Sequence, residues 1–468
     1  MFTNSHTLGL FYNKGITYEG ESVLDSVMIS RLLTSSTLIF HIIFATIGVG
    51  MPIMIAIAEF IGIKKNDNHY LLLARRWARG FTITVAVGVV TGTAIGLQLS
   101  LLWPSFMKVA GQIIALPLFM ETFAFFFEAI FLGIFLYTWD RFKGKWTHWF
   151  LNLPIMIGSS ASALFITTVN AFMNTPQGFE LKDGKAIEID PIAAMLNPAT
   201  PTKVFHVLTT SYMTMAIILA AIAAYSILMK KGGDYHKKAL RMTMTAALVF
   251  SLGAALAGDL SAKFLAEYQP EKLAAGEWHF ETEKNADLIV FGTIDENNEI
   301  SNEIRLPGFL SFLAGSSFDT EVIGLNDFPE DERPPLWIHY MFDGMVSIGM
   351  FSIFISFLFV LLWKWKKGNE FNKPLLWGIV ASGPLAMLAI EFGWIYAEVG
   401  RQPWILRGYM KIAEAATRAD GVAWIFAMFL ALYLMLGILC VVVLIRMFKN
   451  KPAEAELEKR FPADRKEE

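Results

Sequence analysis

Residues 421–447 read GVAWIFAMFLALYLMLGILCVVVLIRM, an apolar run whose only charge, Arg446, stands at its far end. At 1.5 Å per residue such a helix reaches about 40 Å, more than the roughly 30 Å hydrocarbon core of a bilayer. It is apolar on every face, which suits a helix bathed in lipid. Eight stretches of the same kind precede it: 30–62, 80–103, 111–139, 150–172, 206–229, 242–266, 336–363 and 375–398. The first and third are long enough to tilt or to project past the bilayer. The fold class expected is an all-α membrane protein with nine transmembrane helices. The whole chain agrees: 54% of its 468 residues are hydrophobic and 17% charged, where soluble domains carry about 25% charged residues. The polar leading residues, which lack a basic stretch followed by an apolar one, do not read as a cleavable leader.

The loops set the expected orientation. Connections 64–79, 140–149, 230–241 and 364–374 hold 17 Lys/Arg in 49 residues, whereas 104–110, 173–205 and 399–420 hold 8 in 62. The positive-inside rule then places the N-terminus outside and the C-terminus in the cytoplasm. The expected organisation is an outer N-terminal segment (1–29), spans one to six (30–266), an outer loop (267–335), spans seven to nine (336–447) and a cytoplasmic tail (448–468), read as a solvated helix or disordered. The outer loop is the one long connection and contains 16 Asp/Glu against four Lys/Arg. Its length and its aromatic residues Trp278, Phe280, Phe291, Phe309 and Phe312 mark it as functional rather than a tether. The formal charge of −3 is thus a cancellation between this acidic loop and a cationic body, with no basic surface for nucleic acid. A single cysteine, Cys440, excludes a disulfide framework, a Cys-rich zinc site and a Cys-ligated iron–sulfur cluster. The absence of C-x-x-C-H excludes covalent c-type haem.

Ionisable groups inside spans are costly and mark function by default. His41 lies in span one, Glu121 and Glu128 in span three, His206 at the start of span five, Asp343 in span seven, and Glu391 and Glu398 in span eight; Asp259 and Lys263 close span six. Given the expected topology, His41, Glu121, His206 and Glu391 share the outer half of the bilayer. Glu121 and Glu128 are seven residues apart, nearly two turns, so one helix face carries both. Stacked carboxylates there suit a proton path or a metal-facing group; a buried imidazole suits an axial haem ligand, alone or with a Met thioether. Gly88, Gly92 and Gly96 bare one face of span two, which reads as close helix packing.

One string is far more specific. Gly393-Trp394-Ile395-Tyr396-Ala397-Glu398-Val399-Gly400-Arg401-Gln402-Pro403-Trp404, preceded by Ala389-Ile390-Glu391, resembles the GW-x-x-x-E-x-GRQPW signature of subunit I of the cytochrome bd quinol oxidases. Ser30-Arg31-Leu32 with His41, Pro117-Leu118 through Glu121, Phe125-Phe126-Phe127-Glu128, Gly158-Ser159 through Ser162-Ala163-Leu164 with Asn170, Lys203-Val204-Phe205-His206 and Lys272-Leu273-Ala274-Ala275-Gly276-Glu277 are similar to further motifs of that family. The loop is short beside the family's long-loop branch.

The resemblance implies a respiratory oxidase of the prokaryotic cytoplasmic membrane that oxidises ubiquinol or menaquinol at the outer face and reduces O₂ to water with cytoplasmic protons, building a proton motive force without pumping. It implies a low-spin haem b on His206 and Met345. It implies a high-spin haem b and a haem d (or a third haem b), one held by His41 and the other by Glu391. Glu121 is then a distal ligand or proton donor at the oxygen-reducing haem and Glu128 part of its proton route. Arg401, with Trp394 and Trp404, holds propionates or packs beside the macrocycles, and Lys272 and Glu277 meet quinol. The implied partners are membrane lipid, subunit II and a small single-helix subunit. A haem-free proton-coupled transporter, or a haem protein that has lost oxygen reduction, is the competing class. One departure stands out: Phe342-Asp343-Gly344-Met345 puts an acid where the family commonly has arginine. A nearby anion favours ferric iron, so the low-spin haem should have a lowered potential. A redox titration should show it rising on Asp343→Arg; an unchanged value rejects the assignment.

Overall fold

The computed structural model describes residues 21–230, 233–365 and 369–461. The remainder of the expected N-terminal segment (1–20), residues 231–232 and 366–368 of two connections, and tail residues 462–468 lie outside the described residues. Nine helices among the described residues are long and apolar enough to span a membrane. They are α1 (Glu21–Lys65), α2 (Asn68–Leu102), α3 (Pro104–Thr138), α4 (Asn152–Asn174), α5 (Thr200–Leu228), α6 (Asp234–Tyr268), α7 (Ile338–Trp365), α8 (Lys373–Val399) and α9 (Val422–Lys449). Most outrun the apolar stretches that announced them because the helix continues beyond the hydrophobic part. Lipid offers no partner to a backbone N–H, so the helix is the one local conformation that satisfies each residue from within.

The chain packs α1 on α2, α3 on α4, α5 on α6 and α7 on α8, with α5 also meeting α1, α4 and α8. In the most apolar 18-residue window of α5, 61% of residues are buried by protein, against 11% in α9. The fifth helix is therefore the bundle's axis, and the ninth shows most of its surface to its surroundings. α1 and α5 meet at Gly50, where an added Cβ would stand 2.5 Å from the Met215 Cβ and 2.6 Å from the Ser211 carbonyl. Nothing larger than hydrogen fits there.

The connection 267–335 leaves at what we term the loop end of the bundle. A short helix, Pro270–Gly276, follows α6. An antiparallel hairpin then pairs Leu288–Val290 with Ile304–Leu306 and, farther out, Thr293–Ile294 with Ile300–Ser301. Trp278 is buried, whereas Phe291, Phe309 and Phe312 are largely exposed. Phe309 and Phe312 stack on each other, ring centroids 5.9 Å apart.

At the opposite, tail end, Arg75 clasps Asp140 through two bonds of 2.6 and 2.5 Å. The tail, expected to be a solvated helix or disordered, forms a helix, Ala453–Arg460, that is mostly exposed but docked through Ala453 and Glu456. Its Glu456 is buried and accepts from Arg76 at 3.0 Å and Arg79 at 2.6 Å. The physical reason is the basic stretch at the start of α2: the one acid in residues 64–79, Asp67, is taken by Lys238, so Arg76 and Arg79 find their counter-charge in Glu456. Burial pushes the Glu456 carboxyl up, but Arg79 and Arg76 outweigh it and hold it below the usual range. Arg75 lowers Asp140 likewise. Carboxyls with depressed folded values stabilise above their unfolded range and lose that contribution as pH falls. Proteolytic cleavage after residue 449 should therefore quicken below about pH 4, and Glu456→Gln should show the fast rate at neutral pH.

Candidate functional site

Where α4, α5 and α8 meet the helix Pro270–Gly276, polar side chains crowd together. Asn170 on α4 donates to one oxygen of Glu398 on α8 and accepts from the Lys203 ammonium on α5 at 2.8 Å. Arg401 donates to the other Glu398 oxygen at 2.5 Å and to the Ile405 carbonyl, which leaves its buried Nε without a partner. Lys272 donates to the Ala397 carbonyl at 3.0 Å and stands 5.0 Å from the centre of the Tyr396 ring. Burial pushes the Lys272 ammonium down to about 7, with the Glu398 carboxylate opposing. Three cations thus surround one carboxylate. A buried surplus of positive charge is costly unless an anion answers it.

One turn beyond Lys203, the Nδ1 of His206 is buried with no hydrogen-bond partner. Met345 belongs to α7, which like α5 packs on both α6 and α8. Its sulfur lies against Gly393, where an added Cβ would come within 2.9 Å. Glu391, on α8, is buried with both oxygens unpartnered. Trp394 is partly buried nearby in sequence, and Trp404 lines a separate cavity of about 420 Å³ with Arg407, Glu271 and Tyr409.

His41 of α1 faces α2. Its Nδ1 is 2.9 Å from the Thr91 hydroxyl, which itself donates to the Val87 carbonyl at 2.9 Å. The hydroxyl's proton is therefore spoken for, so Nδ1–H donates and Nε2 keeps its lone pair. Gly92, expected to serve helix packing, serves this ring: an added Cβ would be 3.2 Å from its Cε1.

The two acids of α3 do share a face. Glu121 accepts from Ser162 of α4 at 3.1 Å, and Glu128 is buried against Gly158, four residues earlier on α4. Nearer the tail end, a pair that sequence reasoning missed continues the polar trail. His148 Nδ1 lies 2.6 Å from Glu59, and its Nε2 2.9 Å from the Phe135 carbonyl. Both line a cavity of about 680 Å³ that also touches Arg75, Arg79 and Arg460. The signal was there: Glu59 is an ionisable residue within the apolar stretch 30–62. Lys203, inside a recognised motif, was likewise given no role of its own.

Glu277, at the end of the short loop helix, is wholly buried with one oxygen unpartnered. Burial drives its carboxyl well above the usual range, and the neighbouring Asp343 charge adds to the shift. Among the described residues no cluster of three His, Cys, Asp or Glu could hold a bare metal ion. A porphyrin supplies four iron ligands itself, so isolated His, Met and carboxylate side chains are the right kind of donor for haem.

Comparison with known proteins gives one answer. A family model described as cytochrome bd terminal oxidase subunit I matches residues 29–452. A Bacillus subtilis protein named, provisionally, as a cytochrome bd menaquinol oxidase subunit I is 41% identical over 439 residues, 93% of this chain and 99% of that protein. The cytochrome bd ubiquinol oxidase subunit 1 of the same species is 33% identical, over 91% of this chain and 94% of that protein. The solved bd oxidase structure from Geobacillus thermodenitrificans superposes with a TM-score of 0.89 at 62% identity, covering 92% of this chain and 99% of that one.

Proposed function

The chain belongs to the cytochrome bd terminal oxidase subunit I family and is a respiratory quinol oxidase subunit of the bacterial cytoplasmic membrane; from that premise we propose that it oxidises quinol at the outer face and reduces O₂ to water with cytoplasmic protons. The loop end is then outside and the tail end inside. Charge separation follows from that arrangement without a pump. Family membership sets aside the haem-free transporter, since the family implies haem.

The observation that carries the reading is the buried surplus of Lys203, Lys272 and Arg401 over Glu398, beside an imidazole that lacks a partner. Haem propionates are the anions that would answer it, and an iron the partner that would satisfy the ring. When bound, the haems supply one-electron transfer and the iron at which O₂ is reduced. His206 and Met345 would hold the low-spin haem b, a donor pair that suits electron transfer. His41, held as the Nδ1–H tautomer by Thr91, would hold a high-spin haem through Nε2. Arg401 and Lys203 would hold propionates, and Trp394 would pack beside a macrocycle.

A carboxylate of α8 would hold the remaining haem, d or b, and two acids seven residues apart are candidates for it. Glu391 has both oxygens free, whereas Glu398 sits in the signature string and among the cations. Glu121 and Glu128 hold and pass protons along α3, with Glu59 and His148 as their inner approach. Lys272 and Glu277 face quinol, of the ubiquinol or menaquinol class; subunit II and a small single-helix subunit complete the enzyme.

Reduced-minus-oxidised spectra of the purified complex, with and without CO, test the assignment. His206→Ala should remove the low-spin haem b band. Of Glu391→Gln and Glu398→Gln, the one that loses a high-spin haem names the ligand; retention of every haem by both rejects carboxylate ligation from α8. A preparation without haem signals would sink the function itself. At saturating quinol, turnover should rise with pH as the Glu277 carboxyl, its proton affinity raised by burial, becomes able to accept. Glu277→Gln should lose that rising limb and about a hundredfold in kcat.

A further inference from the structure

His339 opens α7 yet is wholly buried, and it figures in none of the roles above. Its ring stacks on Trp278, centroids 3.9 Å apart and planes 22° apart. Its Nδ1 lies 2.8 Å from the Gly276 carbonyl, and its Nε2 lies 3.3 Å from the Phe291 carbonyl and 3.2 Å from Asp343 Oδ2. A carbonyl cannot donate, so the ring donates to Gly276 through Nδ1 and to Phe291 through Nε2, with the Asp343 carboxylate beside the second N–H. One imidazole thus joins two parts of the loop that lie far apart in sequence to the first turns of α7.

The loop backbone is bent to meet it. Trp278 and Phe291 have φ of 50° and 56°, the left-handed region that bulky residues rarely enter and hold only where surroundings fix it. Trp278 donates its indole N–H to the Leu336 carbonyl at 2.8 Å. At Phe291 the inner strand pairing stops before the outer one begins. Its N–H turns to Asp343 and its carbonyl to His339, while the next carbonyl, Gly292, accepts from Tyr340 at 3.2 Å. On the other side Gly276 is pressed on Tyr396, where an added Cβ would lie 2.8 Å from the ring, and the Tyr396 hydroxyl donates to the Lys272 carbonyl at 3.3 Å. Residues 272–278 are gripped between α7 and α8.

We propose that His339 is a positioning residue for quinol oxidation, its imidazole clamping the Gly276–Glu277 turn and the hairpin onto α7 so that Glu277 stays aimed at the substrate. Asp343 completes the clamp by holding the Phe291 N–H, which gives the acid in the arginine's usual place a job in the loop. The inference rests on the reading that quinol is oxidised against Lys272 and Glu277.

The test uses the purified haem-loaded complex. His339→Ala should raise the KM for quinol about tenfold, the worth of one buried hydrogen bond, while the dithionite-reduced haem spectrum is retained. His339→Asn, whose amide nitrogen takes the place of Nδ1 and can still donate to Gly276, should recover most of that loss, and protease should cut loop 277–335 faster in the Ala than in the Asn variant. An unchanged KM in His339→Ala overturns the proposal, as does loss of the haem spectrum in Ala and Asn alike with loop cleavage unaltered. Should the Ala variant not assemble, His339→Leu, which fills the space without a donor, serves in its place: a raised KM supports the clamp and a normal one rejects it. Glu277→Gln separates the two levels. Normal quinol kinetics there remove the quinol-site reading, whereas impaired kinetics there with a normal His339→Ala remove the clamp alone.

Discussion

A polar atom that leaves water must find another partner, and in a bilayer the only partners are the protein itself or what it binds. Almost every feature of this chain follows from that constraint. The backbone meets it by staying helical. Serine and threonine side chains meet it by bonding back to their own helix, as Thr37, Thr209 and Ser356 do. Among the groups that fail to meet it internally are His206, Glu391 and Arg401, which have the chemistry to hold a haem or its propionates. Where such a group also has a ligand's chemistry, its unmet demand helps to describe what it binds.

Charge is sorted accordingly. Ion pairs at the tail end, such as Arg75–Asp140 and Lys238–Asp67, close on themselves and tie helices together. The network around Glu398 does not close, because it has more cations than anions. The first kind adds modest stability where water reaches it; the second stores a demand until the cofactor arrives.

Much of this was legible in the sequence because a bilayer demands long apolar runs. The nine spans and the shared face of Glu121 and Glu128 follow from period and length alone. The family signature named the site's chemistry. What could not be read was any role depending on residues far apart meeting at one atom. His339 looked like one more residue at the start of a span; only the fold brings Gly276, Phe291 and Asp343 to its ring. The docking of the tail was hidden for the same reason. Residues 453–460 have the composition of a solvated helix, and nothing local says that Glu456 ends between two arginines of α2. Gly92 read as packing because the sequence does not say what packs on it.

That last contact also bears on how the molecule is made. Arg76 and Glu456 are 380 positions apart. At ribosomal speeds of about 5–20 residues per second, Arg76 and Arg79 of α2 wait on the order of 20 to 80 seconds for their counter-charge to be synthesised. Until then the N-terminal third sits in the membrane with an open cationic collar, available to lipid headgroups or to an insertion factor. The final helix works as a latch, and a chain truncated before it would keep its spans while leaving that collar unfastened.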